Sequence, residues 1–274
     1  MSLKSSFAAI KAYGAHRKGQ LEEAEKLYEE AAAGGFTDPR YMLSYALLLI
    51  RKGEYEKAKE LLVKYQKMPA LAPQQKAELI TDYSVCVYKM GERAKAVSKM
   101  EELHRKSPSG AIYQTLGYLY VDTCDLKYKP DMSAAPAEVQ ESVTGEETEV
   151  TETAKEEKKL SPLEAYEANC EKAKAFCKEA VEYDDEDAIC LDNMGQLYYR
   201  VFGDKAAAKE WFEKAIAIKP GQIDTLWFLS RYDLESGNRE AAVEKLTKAL
   251  DGRFSPLNYV TKDDIQKEIN QLKA

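Results

Sequence analysis

Between Ala208 and Pro220 the chain reads AKEWFEKAIAIKP, with small residues at Ala208 and Ala215, an aromatic at Phe212, charged residues between them and a proline at the end. Positions four and seven apart share one helical face, so the stretch predicts an amphipathic helix with small residues bracketing a large one on its buried stripe. The same spacing, Ala-x-x-x-(large apolar)-x-x-Ala, recurs in AEKLYEEA from Ala24, AKAFCKEA from Ala173 and AVEKLTKA from Ala242, with looser copies in AKELLVKY from Ala58 and AVSKMEEL from Ala96. The leading alanines are 34, 38, 77, 35 and 34 residues apart, which is one period with a single doubled and overlong step. Small residues at such positions let two helices cross closely, while Tyr28, Leu62, Met100 and Phe212 fill the space beside them.

A second pattern precedes several of these helices: YQTLGYLY from Tyr113, LDNMGQLY from Leu191 and, more weakly, LWFLSRYD from Leu226. Gly19, Gly53, Gly91, Gly203 and Gly237 stand between the two patterns, where a left-handed turn residue suits glycine. A period near 34 with these two signatures resembles the tetratricopeptide repeat, a helix-turn-helix unit with a Trp-x-x-Leu-Gly-x-x-Tyr first helix and an Ala-x-x-x-Phe second helix. The resemblance covers nearly the whole chain. It implies an all-α, right-handed α-solenoid of about six helix-turn-helix pairs with a C-terminal capping helix. The pairs fall at about 5–36, 38–69, 74–108, 110–185, 187–220 and 222–252, and the cap at 261–274, with Thr261 as N-cap and Ile265, Ile269 and Leu272 on one face. Lys11-Ala12 stands where the first repeat lacks its Leu-Gly pair, and a four-residue excess in MPALAPQQ is expected to lengthen the turn into the third repeat.

The overlong step marks an interruption. From Asp131 to Leu160 nine acidic residues face three lysines, with few large apolar side chains, a composition that cannot bury enough surface to fold alone. The chain therefore reads as repeats to residue 124, an acidic and disordered insertion at 125–160, and a continuation of the same solenoid from 161 to 274. Ser161, Pro162 and Glu164 form a capping-box signature that restarts the helix about two turns ahead of its siblings.

The net charge of -7 and pI near 5.2 argue against nucleic acid as a partner, since phosphate neutralisation needs a dense Lys/Arg surface. The N-terminal apolar run is too short for a signal h-region or a membrane span, and five cysteines without Cys-x-x-Cys spacing indicate neither a disulfide framework nor a zinc site. A reducing cytoplasm is the expected setting, with no membrane attachment.

Candidate chemistry is sparse. His16 and His104 lie in different repeats and read as surface or turn residues. Cys170 and Cys177 share a helical face, but Cys177 takes the large-apolar position and reads as a buried thiol. The acidic run YDDED, Tyr183 to Asp187, lacks calcium-loop spacing and falls where it would cap the next helix. No phosphate loop, nucleophile elbow or dinucleotide fingerprint is present. No catalysis, cofactor or metal is expected.

The resemblance implies a concave face lined by the first helices of each pair, receiving a protein or peptide partner. In this register Tyr118, Asn193, Gln196, Tyr199, Arg200, Trp227 and Arg231 present aromatic and polar groups together there, and form the candidate partner site. Only Asn193 falls at a position of the family's carboxylate clamp. If the acidic insertion crossed the groove, its carboxylates would meet Arg200 and Arg231. The alternatives are a self-assembling structural module and a thiol-based sensor or enzyme.

Overall fold

The computed structural model describes residues 3–67, 71–130 and 160–274. The acidic stretch 131–159 lies outside the described residues, and so does the expectation placed on it. Thirteen α-helices succeed one another among the described residues: α1 (Leu3–Arg17), α2 (Leu21–Ala33), α3 (Pro39–Arg51), α4 (Tyr55–Gln66), α5 (Pro73–Lys89), α6 (Arg93–Lys106), α7 (Gly110–Thr123), α8 (Pro162–Tyr183), α9 (Ala188–Gln196), α10 (Lys205–Ile218), α11 (Ile223–Glu235), α12 (Arg239–Leu250) and α13 (Lys262–Lys273). Each helix packs on the next, and odd-numbered helices also touch across α1–α3, α3–α5, α7–α9 and α9–α11, which is the layout of an α-solenoid. No helix among the described residues is long and apolar enough to cross a membrane.

The repeating alanines explain the pairing. Ala24, Ala58, Ala96, Ala173, Ala208 and Ala242 are fully buried, as are Tyr28, Leu62, Met100, Phe212 and Leu246 four residues on. A methyl group at the crossing brings the even helix against the odd one, and the large side chain one turn later fills the wedge. Gly195 shows how close the approach is: a Cβ there would lie 2.5 Å from the Phe212 ring, which stacks on Phe228 at 4.8 Å. The five turn glycines, from Gly19 to Gly237, all take positive φ, between 69° and 92°. At Ser161 the hydroxyl accepts from the Glu164 N–H and the Glu164 carboxylate accepts from the Ser161 N–H, so α8 starts early and runs 22 residues where the other even helices run 12 to 14.

Two irregularities in the period are absorbed by helices rather than loops. The four-residue excess ahead of the third repeat becomes an extra turn of α5, which has 17 residues against 13 in α3, contrary to a lengthened linker. Pro73 at the first position presets the helical φ, and Gln75 accepts from the Ala72 N–H to close the new end. The one-residue excess in the fifth repeat continues α9 as a π-helical turn over Leu197–Phe202, ended by Gly203. The insertion also begins later than residue 125: Leu126–Tyr128 form a 3₁₀ turn whose cap is Asp125, accepting from the Lys127 N–H.

Because Gly195 and Ala208 sit in the close α9–α10 pairing, Gly195→Ala and Ala208→Leu should each destabilise by about 1–3 kcal/mol through overpacking. Urea denaturation reads the loss. Wild-type midpoints for both would mean that the fifth-repeat register is wrong.

Candidate functional site

The concave face is already crossed by a piece of the chain. Between α12 and α13, residues 251–261 do not form a short surface link but run back over the odd-numbered helices. Ser255–Asn258 make a tight turn around Pro256, with the Asn258 N–H donating to the Ser255 carbonyl at 3.0 Å and the Asn258 side chain accepting from the Ser255 N–H at 2.6 Å. Leu257 at the turn packs against the apolar clusters of both the N-terminal and middle repeats. Asp224, at the start of α11, accepts from the Tyr259 N–H and from Asn258 Nδ2, both at 3.0 Å, and the Tyr259 ring stacks on Phe228 at 5.1 Å. This strap divides the groove into two open chambers. One, of about 280 Å³, lies among Gln114, Thr115, Asn193, Lys219 and Asp224; the other, of about 690 Å³, lies among Arg51, Lys89, Arg93, Asp122 and Lys262.

Under the strap sits Arg200, carried inward by the π-helical turn. Its Nε donates to Asp125 at 2.9 Å, one Nη to Gln196 at 2.8 Å and the other to Asp122, while Tyr259 covers its guanidinium at 4.2 Å. The Tyr88 hydroxyl also donates to Asp122. Burial opposes the Asp122 charge, but Tyr88 and Arg200 outweigh it and hold the carboxyl below its ordinary range. Removing one partner of such a buried set costs about 3–5 kcal/mol, because the other charge is left unpaired.

The structure brings Tyr118, Asn193 and Gln196 together on the wall of the smaller chamber. They are largely buried rather than free: Asn193 Nδ2 donates to the Gln114 carbonyl at 3.0 Å and Gln196 Nε2 to Asp192 at 2.7 Å. Arg200 is committed to Asp122 and Asp125 and is no free groove cation. Tyr199 does not join the site; the extra residue in the π-helical turn rotates it toward Phe228, Tyr232 and Phe212 between helices. Trp227 and Arg231 face the capping helix, where Trp227 Nε1 donates to Glu268 at 3.1 Å and Arg231 pairs with the same carboxylate. His16 is buried against Ser44, not at the surface. Asp187 of the acidic run caps α9. Among the described residues no three His, Cys, Asp or Glu side chains gather as a metal site would need.

A family model for the tetratricopeptide repeat matches residues 190–222, the α9–α10 pair in which the alanine, Phe212 and glycine positions are most regular. Residues 190–222 are thus a tetratricopeptide repeat by sequence. The fold of the chain is shared with a thermophilic tetratricopeptide protein of Thermus thermophilus, TTC0263, at TM-score 0.60 and 16% identity, over 86% of this chain and 99% of that one. PilW, a type IV pilus biogenesis factor, matches at TM-score 0.58 and 12% identity over 98% and 100%. Human IFIT1, solved as a dimer with m7Gppp-AAAA, matches at TM-score 0.62 and 13% identity over 97% of this chain and 54% of that one. No curated protein matches the sequence.

In this repeat protein the residues that sequence reasoning passed over are those of the strap. The signal was present in RFSPLNYV, Arg253 to Val260, which is apolar and aromatic for a linker. The groove also holds carboxylates in unusual states. Asp192 and Asp224 lie buried near each other, and burial together with their mutual charge raises Asp192 above the ordinary carboxylate range, while burial also raises Asp224. On α5, Oδ2 of Asp82 is buried without a hydrogen-bond partner. Burial, then the charge of Glu78, pushes its carboxyl up to about 7 against the pull of Arg51.

The folded pKa of Asp82 stands above the unfolded value, so the folded protein keeps a proton that the unfolded chain has released. Its favourable contribution is complete below the unfolded value and is lost as pH rises through about 7. Asp82→Asn should therefore gain stability relative to wild type, by about 1–3 kcal/mol, as the pH is raised from about 4 to about 8. A difference that stays flat over that range in thermal melts would show Asp82 to be solvated.

Proposed function

We propose that this protein is a non-catalytic scaffold whose concave groove takes a segment of a partner protein. The observation that carries this reading is the strap: the groove already holds a non-helical stretch of polypeptide. It does so through a carboxylate on a backbone N–H and on an asparagine side chain, with aromatic rings as a wall. These are contacts that any suitably shaped peptide can make. The smaller chamber beside the strap is lined by Thr115, Tyr118, Lys219 and Asp224, while Asn193 and Gln114 are bonded within its wall. Tetratricopeptide repeats are in general binding scaffolds, and the thiols give an enzyme or sensor little to work with. All five cysteines are buried, and burial pushes Cys86, Cys124 and Cys190 up to about 12.

A self-assembly reading is favoured by one observation. The outer face of α1 leaves Leu3, Phe7 and Ile10 exposed by 93%, 60% and 55%, an apolar row at the end of the solenoid. Concentration-dependent mass in sedimentation, abolished by Phe7→Glu, would support it; a constant mass removes it.

For the groove, Thr115 is half-buried and lines the smaller chamber without joining the core. Thr115→Arg should fill that chamber, weaken capture of the partner in affinity purification about tenfold or more, and leave the melting curve unchanged. Undiminished capture by this variant would move the partner site out of the groove.

A further inference from the structure

The larger chamber is cationic in a protein that is acidic overall. Arg51, Lys52, Lys89, Arg93, Lys127 and Lys262 line it, against the carboxylates of Asp122 and Asp263. Asp122 is already taken by Arg200 and Tyr88. Lys52 and Lys127 have their own partners in Glu25, Glu54 and Asp125. Arg51, Lys89, Arg93 and Lys262 form no ion pair among the described residues. Arg51, Lys89 and Arg93 are also half-buried. None of them meets a carboxylate at salt-bridge distance: Arg51 reaches His16 Nε2 at 3.4 Å and Arg93 lies over the Tyr88 and Tyr128 rings, so their lost hydration is only partly replaced. Burial lowers the pKa of both Lys89 and Arg51, and the neighbouring Arg253 adds to the effect on Arg51.

From these unpaired cations around an open cavity we infer that the larger chamber binds an acidic segment of the partner protein, with the Asp or Glu side chains of that segment received by Arg51, Lys89, Arg93 and Lys262. The inference rests on the groove reading in one respect, that the partner enters on the concave face. Three features point to a peptide. The cavity of about 690 Å³ is within the size that encloses a small organic or short-peptide ligand, about 300–1,000 Å³. Tyr55, Tyr118, Tyr128 and Tyr259 line it too, adding hydroxyl donors and apolar ring faces for the stems of Glu side chains. It also shares Tyr118, Ser255 and Asn258 with the smaller chamber, so one chain segment can pass along the strap from one to the other. A nucleic-acid strand is disfavoured by the overall net charge of the chain, -7. The cations are not those of a chain-end clamp. Arg51 and Lys89 close the C-terminal ends of α3 and α5, Arg93 opens α6 and Lys262 opens α13, so they ring the lip of the groove.

The test uses the full chain and fluorescence anisotropy with a labelled oligoglutamate peptide, an oligoglutamine peptide of equal length and a single-stranded oligothymidylate. Oligoglutamate should bind, oligoglutamine should not, and the affinity should fall as salt is raised. Lys89→Gln with Arg93→Gln should weaken oligoglutamate binding about tenfold. In case that pair perturbs folding, Lys262→Gln alters only an exposed side chain and should weaken binding severalfold. Equal binding of oligoglutamate and oligoglutamine, or unchanged affinity in both variants, overturns the inference. So does tighter binding of oligothymidylate, which would make the chamber a phosphate site. Thr115→Arg should keep wild-type affinity for the oligoglutamate probe, so failure of the cationic chamber and failure of the groove reading are told apart.

Discussion

Everything else in this molecule depends on a short helix–helix distance. In each pair an alanine on the even helix is buried against its partner, and a large side chain one turn later closes the gap. Such a pair covers only one of its own faces, so its remaining apolar surface has to be met by the next pair. The result is a core drawn out along the chain. Its outer positions can carry charge freely, and its inner positions are lined by whatever the odd helices present.

That close crossing also decides how the chain tolerates irregular lengths. Extra residues cannot be taken up at the alanine contact without pushing the pair apart. They appear instead at the ends of the odd helices, as the added turn of α5 and the π-helical turn after α9. The second of these has consequences for the groove. It carries Arg200 under the strap and into the reach of Asp122 and Asp125, and it turns Tyr199 away into the aromatic packing between helices. A single additional residue thus converts one intended groove side chain into a structural hub and another into core.

The strap is the complement of that hub. Tyr259 covers the Arg200 guanidinium, Asp224 holds the strap by its backbone and by Asn258, and Leu257 reaches apolar surface of the N-terminal and middle repeats. The groove is therefore partitioned, with a small polar chamber on one side and a large cationic one on the other. The two differ in chemistry because they meet different ends of the odd helices. The smaller faces amides and carboxylates near the starts of α7, α9 and α11, and the larger faces basic residues near the ends of α3 and α5.

The local pattern by itself determined the repeat: the alanine and large-apolar positions, the turn glycines, the capping boxes at Ser161 and Thr261 and the order of the helices all follow from contacts within one helix pair or between neighbours. The face of each groove residue was legible only where the helix kept a 3.6-residue turn. Tyr118, Asn193 and Gln196 precede the π-helical turn and line the chamber, whereas Tyr199 lies within it and does not. Trp227 and Arg231 lie on the expected side of α11 but are taken by Glu268 of the capping helix, a partner about forty residues away. What only the tertiary structure decided is the path of residues 251–261. Nothing local obliges a linker to turn back over a groove; it does so because Asp224, Phe228 and Arg200, from two different repeats, together offer a carboxylate, a ring and a cation at the places where Tyr259 and Asn258 can use them.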